Sequence, residues 1–169
     1  MEVRLGQLLI ETGVLTVTQV ERILKEQQRS GEPFGLLCER LFHIDPSAVE
    51  HAWASQYASL SRIVDPAAEV IEPEALALVT RRQAWQFRVL PMRFDSGELM
   101  VATTQQHLRR ALRFATAVMC VPVFLVLATP EALGQALCRH YPLPGMTPRS
   151  VNDGEMDHLL GERGMRLGA

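Results

Sequence analysis

Gly6 recurs as Gly35 and Gln27 recurs as Gln56, an offset of 29 residues in each case. Between these ends the apolar positions also correspond: Leu8 with Leu37, Leu15 with Ile44, Val20 with Val49, and Leu24 with Trp53. A fixed period constrains the fold more than any single motif. Each copy must build the same supersecondary unit and bury its apolar face against its neighbour. The frame runs from Arg4-Leu5-Gly6 to Gln27, and again from Pro33-Phe34-Gly35 to Gln56. It predicts two helix pairs packed pseudo-symmetrically, each with a glycine-bearing helix start and a distal glutamine.

Helix signals inside each copy agree with this. Leu5, Leu8, Leu9 and Ile10 give residues 4–12 an amphipathic pattern that Gly13 ends. Thr16-Val17-Thr18-Gln19 is a capping box, and the helix it opens carries Val20, Ile23, Leu24 and Gln27 on one face before Gly31. In the second copy a helix is expected over 34–42. Asp45 then serves as N-cap and Pro46 as the first helical residue of a helix with Val49, Ala52, Trp53 and Gln56 on one face.

The pattern changes after Gln56. Residues 61–70 read as irregular or extended, and Pro73 opens a helix with Ala75, Leu76, Leu78 and Val79. Arg88 to Met92 and Glu98 to Thr103 are short β-prone runs around an Asp95-Ser96-Gly97 turn, a hairpin signal. A helix over about 105–117, a buried strand over Val121 to Ala128 and a helix from Thr129-Pro130-Glu131 to about Tyr141 complete the order α-β-β-α-β-α. The fold class is therefore α+β. The expected parts are a helical tandem-motif subdomain (1–62), a small α/β subdomain (63–141) and a flexible tail (142–169) with a short helix around Glu155 to Leu160.

Charge and cysteine usage narrow the function. The formal net charge is −2, which argues against a sequence-independent grip on nucleic acid polymer. Cys38, Cys120 and Cys138 show no paired spacing and read as buried free thiols of a reducing compartment. No signal segment opens the chain, and its longest apolar run, Ala115 to Ala128, is too short and broken to span a bilayer. A cytoplasmic protein not integral to the membrane is expected.

Catalytic motifs are missing from the sequence: there is no phosphate-binding P-loop, no Gly-x-Ser-x-Gly and no His-Glu-x-x-His. His43 and His51 lie closest among the histidines and read as surface residues; no metal ligand set is assigned. Binding signals are better than catalytic ones, although the residues alone favour helix packing for Gly6 and Gly35 and a solvated N-terminal charge for Arg4 over a ligand site. Arg4 stands at a helix start, where its guanidinium can offer two parallel hydrogen bonds to a guanine edge or a phosphate. Gly6 and Gly35 allow either close backbone approach to a phosphate or close helix–helix packing. Two equivalent half-sites suit a ligand with two bases and two phosphates.

The frame Arg4-Leu5-Gly6-x-x-Leu9-x-x-x-Gly13-Val14-Leu15, followed by Val20-x-x-x-Leu24-x-x-Gln27, resembles the N-terminal domain of type II secretion and type IV pilus assembly ATPases. With its second copy it resembles the MshE-type cyclic di-GMP-binding domain (MshEN). Ile71 to Leu76, Val89-Leu90-Pro91 and Gly97 to Ala102 look like the α/β half of that domain, so the resemblance covers roughly 4–141. It implies a dinucleotide lying along both motifs. The implied contacts are Arg4, Leu5, Gly6, Leu9, Val20, Leu24 and Gln27 from the first motif, and Phe34, Gly35, Val49, Trp53 and Gln56 from the second.

The second motif departs from the pattern. Phe34 replaces the usual leucine, Phe42 stands where the first copy has Gly13, and Trp53 stands opposite Leu24. Phe42 cannot cheaply take the left-handed backbone open to Gly13, so that turn must be built differently. Trp53 would either stack on a guanine or fill the pocket. The resemblance thus implies a non-catalytic cyclic di-GMP receptor with no cofactor, reporting to a secretion or pilus platform protein or ATPase. Its alternative is a docking adaptor with a degenerate nucleotide site. The ATPase part is absent from this sequence, and the initiating methionine and the composition of the tail favour a complete short protein over a fragment.

Overall fold

Local hydrogen bonds set the helix starts as the sequence requires. The Thr16 hydroxyl accepts from the Gln19 amide at 3.3 Å, and the Gln19 side chain accepts from the Thr16 amide at 2.8 Å. This capping box opens α2 (Val17–Ser30), which Gly31 ends in the left-handed conformation at φ 70°. Before it lies α1 (Leu5–Glu11), ended by a turn in which Gly13 has φ 73°. The structure, a computed structural model, describes residues 4–60 and 62–152, the side chains of 55–60 excepted.

The second repeat gives α3 (Phe34–Phe42) and α4 (Pro46–Leu60). The two repeats share one turn hydrogen bond: Leu15 N donates to Leu9 O at 3.1 Å, and Ile44 N donates to Cys38 O at 3.2 Å, each partner displaced by the repeat offset. The turns differ as Phe42 requires. Phe42 stays helical, and the next residue, His43, takes the left-handed conformation at φ 55°.

The second half contains α5 (Pro73–Leu76), α6 (Arg81–Phe87), β1 (Leu90–Asp95), β2 (Glu98–Thr103), α7 (Leu108–Ala117), β3 (Val123–Leu127) and α8 (Pro130–His140). Strand order is β1-β2-β3, antiparallel then parallel, with Leu90 opposite Ala102 and Leu99 opposite Val123. Ser96 and Gly97 both have positive φ, 51° and 85°, as the tight hairpin turn demands. The chain is α+β. Helix α7 joins the halves: α3 and α4 both pack against it. Beneath them Trp53, Trp85, Phe114 and Phe124 are among the largest fully buried side chains.

Four expectations need correction. Helix α6 was not foreseen, so the order of the second half is α-α-β-β-α-β-α. Its start is a second capping box, Thr80 with Gln83. Because α6 occupies residues up to Phe87, Arg88 is its left-handed C-cap and β1 begins at Leu90. The start of the expected tail is packed: Pro148–Val151 forms a 3₁₀ turn with Val151 buried. Two things hold it there. Gly134 leaves room on α8 for the Pro148 backbone, and the buried Arg88 guanidinium donates to the carbonyls of Trp85, Ser150 and Val151. The expected helix at Glu155 to Leu160 lies outside the described residues. Finally, Cys120 is exposed in the turn before β3; only Cys38 is fully buried, and Cys138 is half-buried.

Candidate ligand site

Arg4 caps α1 with its backbone and sends its side chain across to the other half of the molecule. Nη1 donates to Glu98 Oε2 at 3.0 Å and to the Asp95 carbonyl at 3.1 Å, and Nη2 lies 3.5 Å from Asp95 Oδ2. The guanidinium carbon sits 4.1 Å from the centre of the Phe124 ring, a cation–π distance. Asp95 and Glu98 are the pair that closes the β1–β2 hairpin. The sequence alone presented them only as turn residues, and no local signal linked Phe124 to Arg4.

The glycines of both motifs are packing residues. A Cβ on Gly6 would lie 2.6 Å from Val20 Cγ1, so Gly6 sets how closely α1 approaches α2. A Cβ on Gly35 would lie 3.0 Å from the Thr116 carbonyl oxygen and 3.5 Å from Pro46 Cβ, so Gly35 seats α3 on the end of α7. Leu5, Leu9, Val20, Phe34 and Val49 belong to the buried core, and Leu24 is half-buried against it. Trp53 is fully buried, its ring centroid 5.9 Å from that of Phe34, and its Nε1 donates to Leu5 O at 3.2 Å. The tryptophan therefore fills the space between the repeats.

Gln27 is the exception. It lies on the inward face of α2 with Val20 and Ile23 and is 1% exposed. Among the described residues, neither Oε1 nor Nε2 of Gln27 has a hydrogen-bond partner. A buried amide in that state costs about 1–3 kcal/mol, and native proteins leave few such groups without reason. The group offers one acceptor and two donors, which suits a ligand edge with adjacent donor and acceptor atoms. Its counterpart Gln56 lies on α4, one offset away, with its side chain outside the described residues.

The remaining ionisable groups suggest structure. Burial pushes the Cys38 thiol up to about 12, which removes it as a nucleophile at neutral pH. A strap of charges joins α2 to α3: Glu26 accepts from Arg29 at 2.6 Å and from Arg40 at 3.2 Å, and Arg40 also holds Glu32. Among the described residues no three His, Cys, Asp or Glu side chains come together to hold a metal ion. His43 and His51 are both exposed.

A family model for the MshEN domain matches residues 56–147, more than half the chain. The chain belongs to the MshEN domain family. The match covers the α/β half and starts at the last residue of the second motif, so α1 to α3 and most of α4 of this MshEN chain lie ahead of it. The type IV pilus assembly ATPase PilB of Thermus thermophilus is 26% identical over 141 residues, covering 83% of this chain and 15% of PilB. The MshEN chain thus spans only a small part of that relative's length. A solved structure of MshE with cdg overlaps 82% of this chain and 99% of its own, at a TM-score of 0.41 and 22% identity. No described helix of the MshEN chain is long and apolar enough to cross a membrane.

Proposed function

We propose that this chain is a non-catalytic, cytoplasmic regulatory module that binds cyclic di-GMP and reports its presence to a secretion or pilus machine. Membership of the MshEN family and the tandem frame of residues 4–56 support the ligand class. The single observation that carries the reading is Gln27, whose buried amide lacks a protein partner among the described residues. A guanine edge would satisfy it. In this reading Gln27 and Arg4 make the polar contacts of the first half-site, with Gln56 as the polar group of the second. Leu5, Leu9, Val20 and Leu24 seat the base on one side, and Phe34, Val49 and Trp53 form the apolar floor on the other. Gly6 and Gly35 fix the helix spacing that lets the two motifs meet. The helical unit to residue 62 holds the ligand, and the α/β unit of 63–141 carries the response to a platform protein or ATPase.

Isothermal titration of the folded chain with cyclic di-GMP tests this reading. Saturable binding is expected, and Arg4→Ala should weaken it by about 1.5–3 kcal/mol through loss of a charge-assisted contact. Absence of heat at high micromolar ligand would contradict it.

The packed Phe34–Trp53 pair favours a second reading, a docking adaptor whose nucleotide site is filled by its own aromatic residues. Capture of a pilus or secretion partner that is indifferent to nucleotide would support that alternative.

A further inference from the structure

The arginine at the head of the first repeat is held by acids from the distant hairpin. Glu98 and Asp95 stand 94 and 91 residues away in sequence, yet a carboxylate and a carbonyl take the Nη1 donors, and the Asp95 carboxylate approaches Nη2. A guanidinium presents a planar fork of donors that fits a carboxylate and a phosphate or guanine edge in the same way. The Glu98 carboxylate and the Asp95 main-chain carbonyl therefore take Nη1 donors that an anionic nucleotide could use, with the Asp95 carboxylate beside Nη2. Resting on the reading that Arg4 contacts the ligand, we infer that Asp95 and Glu98 are affinity-determining residues: an internal competitor that holds Arg4 until ligand displaces it.

Exposure decides whether such a hold can open. The side chains of Arg4, Asp95 and Glu98 are 23%, 35% and 21% exposed. Water reaches all three, so the pairs are weak and exchangeable, unlike a buried ion pair. Exchange also has a structural consequence. Asp95 and Glu98 are the last pair of the β1–β2 ladder before the turn. Releasing Arg4 removes its ion pairs and hydrogen bonds to that hairpin. The hairpin end is then the first part of the α/β unit to register ligand.

The test is titration of cyclic di-GMP into wild type, Glu98→Gln and Asp95→Asn/Glu98→Gln, with amide hydrogen exchange over residues 95–99 recorded in parallel. Removing the two competing charges, with the Asp95 carbonyl bond left in place, should tighten binding about three- to tenfold in the double variant. In wild type, ligand should speed exchange in the hairpin, and Arg4→Ala should show the faster exchange without ligand. If wild type binds and the double variant binds equally or more weakly, the competitor is overturned while the binding reading survives. If neither binds, the binding reading fails and the inference falls with it. Binding by the double variant alone would support the competitor and show its hold to be stronger than the exposure of the three side chains implies.

Discussion

Trp53 donates its indole hydrogen to the carbonyl of Leu5 at 3.2 Å, tying the last helix of the second repeat to the first helix of the first. The bond closes the tandem unit on itself, because α1 also meets α2 through Gly6 and Val20. It also explains why the position opposite Leu24 tolerates so large a residue. The ring is fully buried beside Phe34, and its one polar atom is satisfied.

Trp53→Phe should keep most of this packing and lose the hydrogen bond, destabilising the fold by about 1 kcal/mol. Trp53→Ala should cost about 3–5 kcal/mol by opening a cavity. Urea denaturation of the two variants checks the ranking. Equal, near-zero effects would show that the repeats are not joined through this ring.

The segment after α8 gives a second expectation. A methyl group on Gly134 would fall within the van der Waals envelope of the Pro148 backbone, which has no flexible side chain to yield. Gly134→Ala should cost about 1–3 kcal/mol and lift residues 148–151 from α8. Limited proteolysis reads this directly: cleavage in 142–152 should accelerate well before global unfolding. Unchanged cleavage would mean that the segment is held elsewhere.

Acid stability depends on the strap between α2 and α3. Hydrogen bonds from Arg29, and then from Arg40, lower the Glu26 carboxyl from 4.5 to about 2. A carboxylate whose folded pKa is depressed stabilises the fold above its unfolded pKa and loses that contribution as pH falls through the folded value. The window here runs from about 4.5 down to about 2. Glu26→Gln should therefore flatten the dependence of the urea midpoint on pH across this range, and added salt should blunt the difference because the pair is at the surface. Superimposable curves for variant and wild type would remove Glu26 from the account.

Much of the first half was legible because its signals are local. A capping box, a proline at a helix start and a glycine stop each act within four residues, and the repeat fixed their order twice over. Thr80 and Gln83 carried the same signal as Thr16 and Gln19. Residues 81–87 went unassigned between the Pro73 helix and the β-prone run at Arg88, although their capping box is as local a signal as the first. The tail's packing was hidden for a different reason. It depends on Arg88, a buried cation bonded to carbonyls 62 and 63 residues away, which no local pattern predicts. The same holds for Arg4. Its position at the helix start could be read from the sequence, but its partners Asp95, Glu98 and Phe124 are brought to it only by the fold. Of the motif residues, apolar character identified the core members, and periodicity put Gln27 on their face of α2, but that its amide is unpartnered among the described residues follows only from the fold.

Gln27 also sets the sharpest trade between stability and binding. Replacing it with the similarly shaped, apolar methionine removes the burden of an unsatisfied amide. Gln27→Met should therefore stabilise the ligand-free chain by about 1–3 kcal/mol while removing the proposed ligand contact. The decisive measurement is thermal unfolding of wild type and Gln27→Met, each with and without saturating cyclic di-GMP. A higher midpoint is expected for the variant without ligand, a ligand-induced rise in wild type, and a clearly smaller rise in the variant. A variant that is less stable than wild type without ligand, or that gains as much from cyclic di-GMP, would contradict the assignment of Gln27 as the group that awaits the ligand.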